Sequence, residues 1–264
     1  IEIFRTFDAL NDFSNIEFSI KEVKRIGKHA QGTIAYTTSP VHDLNTWLDL
    51  AKKIEDAGAD SLAIKDMAGL LRPFDAYNLV KELKQTLSIP IHMQTHATTG
   101  MSAATNMKAV EAGIDNIDTS ISSLSMTYGH SATETMQAIF EGQERSINLD
   151  IDALEEVSVF FKDIRQKYSE FEGDLKGIDS TMLVKQVPGG MLSNLESQLK
   201  ANKQEDKIDL VKDEIPRVRK DFGYPPLVTP ASQIVGAQAL LNVMSSRRYE
   251  NHTNESIRLI LGRY

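Results

Sequence analysis

Short apolar runs followed by helical spacing recur along the first half of the chain with a period of about 30 residues, the length of one strand plus one helix. Ile3 to Phe7 reads as a strand, and a helical stretch follows it through Val23 to Ile26. Gly32 to Tyr36 is the next strand, and Leu44, Trp47, Leu48, Ala51 and Ile54 then fall on one side of a helix over 43–54. Ser61 to Ile64 and a helix opened by Pro73 form the third unit. Ile89 to Met93 with Met101 to Ala112 form the fourth, and Ile114 to Ile117 with Thr133 to Phe140 the fifth. Nearly continuous apolar strands alternating with helices predict a parallel sheet covered by helices.

From about Leu149 the pattern turns wholly helical. Helices are expected over 152–168, 181–199, 208–222, 232–244 and 254–261, with Pro188-Gly189-Gly190 and Pro225-Pro226 as interruptions. The organisation read from the pattern is therefore five β/α units over 1–148 and a helical domain over 149–264. Polar residues gather where the strands end, at Asp8, Thr37, Lys65 with Asp66, His96 and Asp118. That edge is the catalytic face of a (β/α)8 barrel, and it is also where an open doubly wound sheet binds its ligands. No G-x-G-x-x-G follows the first strand, which favours the barrel, although five units cannot close eight strands.

Composition narrows the chemistry. The chain of 264 residues has 29 Lys plus Arg against 37 Asp plus Glu, a net charge of −8 that argues against nucleic acid as a partner. Cysteine is absent, so disulfides, thiolate metal sites and cysteine nucleophiles are excluded. No apolar run approaches the roughly 20 residues that span a bilayer, and a cytoplasmic setting is expected. The apolar opening Ile1-Glu2-Ile3-Phe4 carries no secretory leader and reads as entry into an architecture already under way.

Three features carry candidate chemistry. In His92-Met93-Gln94-Thr95-His96, strand alternation puts 92, 94 and 96 on one face, where two of them could hold a metal or simply hydrogen-bond inside a barrel. Lys65 follows an apolar run, where desolvation frees its amine to act as a Schiff-base nucleophile or to take up CO2 as a carbamate ligand; pairing with Asp66 is the plainer alternative. Val187 through Asn194 joins two glycines to the hydroxyl of Ser193, which either meets a ligand or punctuates a helix.

The segments FRTFDALN, TTSPVH, IKDMAGLL, HATTG, MTYGHSATE and PGGMLSN together resemble the biotin-dependent carboxyltransferases, in order and over essentially the whole chain. Within that family they are most similar to the oxaloacetate decarboxylase alpha subunits, with pyruvate carboxylase as the near relative. The resemblance implies a (β/α)8 TIM-type barrel, here lacking its first three units, and a helical C-terminal domain. It implies a divalent metal (zinc, manganese or cobalt) at the barrel mouth, held by a carbamylated Lys65, by His96 and at position 94. There the family has histidine and this chain has Gln94. Ser193 matches a threonine that relays a proton to or from biotin.

The implied reaction converts oxaloacetate and biotin to pyruvate and carboxybiotin, with biotin on a separate carrier domain. Pyruvate carboxylase or transcarboxylase chemistry, or a non-catalytic assembly fragment, are the alternatives. A homodimer and membrane decarboxylase subunits are the further partners implied, the latter making the chain peripheral to a membrane. The family's Asp metal ligand and its substrate-gripping arginine precede the FRTFD-like strand and have no match here, so this polypeptide alone is expected to be inactive or nearly so.

Overall fold

The computed structural model describes residues 1–264 except 173, 174, 188, 202 and 264, and leaves out the side chains of 189, 190, 192 and 193. The chain divides into two compact units: Ile1–Thr38 with His42–Ser180, and Ser39–Val41 with Thr181–Tyr264.

The first unit is the β/α repeat. Strands β1 (Ile3–Thr6), β2 (His29–Ala35), β3 (Ser61–Asp66), β4 (Ile91–Thr95) and β5 (Asn116–Ile117) form one parallel sheet in chain order. The helices between and after them are α1 (Phe13–Arg25), α2 (Leu44–Asp56), α3 (Pro73–Thr86), α4 (Ser102–Glu111), α5 (Thr133–Phe140) and α6 (Ile151–Lys167). Among the described residues β1 and β5 are the edges of an open sheet. Each strand lies beside its sequence neighbour because a helical crossover returns the chain next to the strand it left.

Register assigns the faces. Gly32 pairs with Leu62, which pairs with Ile91, and Ile34, Ile64 and Met93 form the next row. A Cβ on Gly32 would meet Ile54 of α2 at 2.3 Å and Ile20 of α1 at 3.2 Å, so this face lies under the helices and needs glycine for their close approach. The opposite face carries Arg5, Gln31 and Ser61 in one row and Ala35, Lys65 and Gln94 in another. That alternation explains why β2 starts at His29 rather than at Gly32: its first residues alternate polar and apolar positions, and only the apolar ones face the helices.

The helical pattern begins near 149, but the compact units divide at Ser180. Helix α6 packs on the turn Ser122–Leu124, with Ser158 hydrogen-bonded to Ser122 at 2.7 Å and Arg165 donating to the Ser123 carbonyl at 2.8 Å. These bonds hold α6 to the sheet unit, whatever the change in sequence pattern.

The second unit comprises α7 (Thr181–Lys185), α8 (Gly189–Ala201), α9 (Ile208–Asp221), α10 (Ala231–Met244) and α11 (Asn254–Ile260). Its core is the apolar set Val187, Met191, Leu195, Val211, Ile215, Val218, Val235 and Ala239. Among the described residues no helix is long and apolar enough to cross a membrane.

Candidate active site

The site lies at the C-terminal ends of β3 and β4. Because Lys65 pairs with Gln94 in register and both point away from the helices, the Lys65 amine donates to Gln94 Oε1 at 3.0 Å. Gln94 Nε2 lies 3.4 Å from His96 Nε2. The structure thus brings Lys65, Gln94 and His96 together.

Asp66, one residue on, points to the other face. It is fully buried and accepts from the backbone N–H groups of Leu70 (2.8 Å) and Leu71 (2.9 Å) and from the Thr95 hydroxyl (2.8 Å). Pairing of Lys65 with Asp66, the plainer reading of the sequence, is therefore corrected: strand alternation parts the two side chains, and the carboxylate shapes the loop after β3.

The amine sits in a setting that favours its neutral form. Burial, and then the nearby Arg5 guanidinium, lower the Lys65 pKa, while Asp118 opposes them. The Lys65 nitrogen also stands 5.5 Å from the centre of the Phe7 ring. Beneath it runs a belt of polar side chains. Arg5 donates to Gln31 Oε1 at 2.5 Å and to Asp118 Oδ2 at 2.6 Å, and His92 Nε2 meets Asp118 Oδ1 at 2.5 Å. His92 is thus engaged in this belt and not with Gln94. Burial pushes the Asp118 carboxyl up, but His92 and Arg5 together hold it well below its ordinary value.

His96 is held by a turn that follows β5, the strand beside its own. Its Nδ1 lies 2.6 Å from the Tyr128 carbonyl, which can only accept, so the proton sits on Nδ1 and the Nε2 lone pair faces Gln94. Burial lowers its pKa to about 4, and the ring is neutral near pH 7. The turn closes with Met126 N–H on the His130 carbonyl at 2.8 Å, and it places two consecutive non-glycine residues, Met126 (φ 65°) and Thr127 (φ 51°), in the left-handed region. It also brings in His130, whose ring stands edge-on to His96 at 4.8 Å between centroids. Sequence reasoning missed His130 as a site residue. The available signal was its place in the MTYGHSATE segment.

Other strand-end residues have separate tasks. Asp8 caps the turn after β1 through the N–H groups of Leu10 (2.8 Å) and Asp12 (2.9 Å), and Thr37 is buried beyond the end of β2. Ser193 falls in α8 of the second unit, and its side chain lies outside the described residues.

Whether these residues suit a divalent cation turns on the donors. Among the described residues no three His, Cys, Asp or Glu side chains share a point. What converges is a lysine, an amide and imidazole nitrogen, a neutral set once the lysine loses its proton. His96 has the form of a metal-binding imidazole, with one nitrogen tied to a carbonyl and the other presenting its lone pair. The set fits a dication provided Lys65 itself supplies the anion.

Comparison with known proteins identifies the family. Residues 6–160 match the family model described as HMGL-like, and residues 182–264 match one described as a conserved carboxylase domain. The chain is 49% identical over its whole length to a pyruvate carboxylase subunit of Methanocaldococcus jannaschii, covering 47% of that protein. It is 48% identical, again over its whole length, to the methylmalonyl-CoA carboxyltransferase 5S subunit of Propionibacterium freudenreichii subsp. shermanii, covering 52% of it. The carboxyl transferase domain of Rhizobium etli pyruvate carboxylase superposes with a TM-score of 0.92 and 33% identity over 98% of this chain and 46% of that one. The chain spans about half the length of the curated relatives it matches. The parallel α/β fold expected from the sequence is that of these domains, and the chain belongs to the HMGL-like family, among the carboxyltransferase domains of the pyruvate carboxylase and transcarboxylase kind.

Proposed function

We propose that the chain is the carboxyltransferase domain of a biotin-dependent enzyme, moving a carboxyl group between N1 of biotin on a separate carrier domain and the methyl carbon of pyruvate. The observation that carries this reading is the meeting of Lys65, Gln94 and His96 at the ends of adjacent strands. The relatives' names, a pyruvate carboxylase subunit and a carboxyltransferase subunit, support transfer to or from pyruvate over the oxaloacetate decarboxylase reading. A second copy of the chain is the further partner proposed; membrane subunits belong only to the decarboxylase reading.

The chain's residues have definable tasks in this scheme. The Lys65 amine, whose pKa is lowered by burial and by Arg5, adds in its neutral form to CO2 with loss of a proton and becomes a carbamate, an anionic donor. His96 presents a fixed Nε2 lone pair, and Gln94 holds Lys65 in place. A divalent cation (zinc, manganese or cobalt), held by Lys65, His96 and position 94, supplies Lewis-acid polarisation of the oxo-acid carbonyl when bound. Ser193 is assigned the proton relay: as CO2 leaves biotin and the pyruvate carbon takes it up, the hydroxyl accepts the methyl proton and passes its own to N1.

The test is a coupled assay of pyruvate released from oxaloacetate by the full-length protein, with and without free biotin, beside the Lys65→Met and Ser193→Ala variants. Biotin-dependent release that falls at least about 100-fold in both variants supports the proposal, in line with the usual worth of an acid–base group. Release indifferent to biotin, or unchanged by Lys65→Met, overturns it. The reverse flux, from pyruvate and carboxybiotin, separates the carboxylase direction from the decarboxylase one.

A further inference from the structure

We infer that His130 belongs to the same centre, supplying the second imidazole donor that Gln94 cannot. The inference rests on the metal-centre reading above and adds a residue to it.

His130 Nε2 lies 3.5 Å from Gln94 Nε2, the same amide nitrogen that stands 3.4 Å from His96 Nε2. Two ring nitrogens from different elements therefore converge on one small group. The amide oxygen is taken by the Lys65 amine, which leaves the two amide hydrogens to face the two rings. An –NH2 between two imidazole lone pairs occupies the place where a cation would sit, and a cation and an N–H pair satisfy those lone pairs by the same electrostatics.

The ring's other nitrogen, Nδ1, is buried without a hydrogen-bond partner among the described residues, so His130, unlike His96, is aimed by its turn and not by a bond at Nδ1. The turn that carries His130 also holds two adjacent left-handed residues, Met126 and Thr127, and backbone strain of this kind gathers at functional sites. The same turn fixes His96 through the Tyr128 carbonyl and Ala97 N–H through the Gly129 carbonyl at 2.8 Å. One strained segment thus sets the orientation of both rings. A glutamine at position 94 is then no loss of the centre: its amide oxygen holds Lys65 while the second imidazole arrives from residue 130.

The experiment is metal uptake, read without activity. The full-length protein, stripped with EDTA, is titrated with Zn2+ and with Co2+, following bound metal by mass spectrometry and the visible absorption of the cobalt form. The variants are His130→Gln and the double variant His130→Gln/Gln94→His. The expected result is stoichiometric uptake by the wild type, affinity at least about tenfold weaker with an altered cobalt spectrum in His130→Gln, and recovery in the double variant. Wild-type affinity and an unchanged cobalt spectrum in His130→Gln overturn the inference and leave the metal centre standing. A wild type that takes up no metal overturns the metal reading itself, and this inference with it. If His130→Gln alone does not fold, the double variant decides: recovered uptake supports the inference, and its absence refutes it.

Discussion

Asp118 is the point where the sheet's polar face is tied together, and its replacement by asparagine gives a calculable outcome. The carboxylate joins Arg5 on β1 to His92 on β4 through bonds of 2.6 and 2.5 Å, spanning nearly the whole width of the sheet. Side-chain exposures of 28% for Arg5, 25% for Asp118 and 20% for His92 place the cluster between a surface pair and a buried one. A charge-assisted bond is worth about 1.5–3 kcal/mol, and solvent screening at a quarter exposure reduces it. For the two bonds together Asp118→Asn is expected to cost about 2–3 kcal/mol, equivalent to about 5–10 °C in melting temperature for a unit of this size. Trp47, the single tryptophan, is buried in α2 of the same unit and stacks on His42, so its fluorescence in a urea titration reports this unit alone.

The sign of the pH dependence is fixed as well. A carboxyl whose folded pKa lies below its ordinary 3.8 contributes stability that is present above 3.8 and lost as pH falls through the folded value. The gap between wild type and variant should therefore close under acid. The variant should also depress the Lys65 pKa further, since Asp118 opposes Arg5 there, and so quicken acylation of the Lys65 amine at fixed pH. A loss below about 0.5 kcal/mol, within the range of ordinary surface substitutions, refutes the reasoning, as does a gap that widens in acid.

Three other outcomes follow from the packing and the charges. Gly32→Ala should destabilise the sheet unit by about 1–3 kcal/mol, because its Cβ would come within 2.3 Å of Ile54 in a closed core, whereas Gly236→Ala in α10 meets the flexible Met191 side chain (sulfur at 2.8 Å, Cγ at 3.1 Å) and gains about 1 kcal/mol of helix propensity; chemical denaturation curves showing equal losses would contradict this contrast. Glu214→Ala should cost the helical unit about 3 kcal/mol, since the buried carboxylate accepts from Arg248 (2.6 Å), Arg217 (2.8 Å) and Asn242 (2.8 Å), and a helical circular-dichroism melt matching wild type would disprove it. His96, with its folded pKa lowered from 6.5 to about 4, is neutral in the fold while the unfolded chain takes up its proton; stability should fall by about 2.5 kcal/mol between pH 6.5 and 4, a slope that His96→Gln removes.

The sequence by itself determined the repeating frame. Apolar strands joined by amphipathic helices leave no choice but a parallel sheet with its polar residues at one edge, and Lys65, Gln94 and His96 were legible because each sits where a strand ends. Register is what the pattern could not supply. The family resemblance joined Lys65, Gln94 and His96, but the residue pattern left them as separate candidates; the pairing of Lys65 with Gln94 across β3 and β4 gives the physical contact, and the alternation of faces sends Asp66 elsewhere. His130 lay hidden for a similar reason: it reaches the site from a turn 36 residues beyond Gln94, and no local period records a contact of that range. The attachment of α6 to the sheet unit was likewise a matter of tertiary hydrogen bonds from Ser158 and Arg165. Periodicity reports which side of an element is buried, whereas the partner across the gap is chosen by packing in three dimensions.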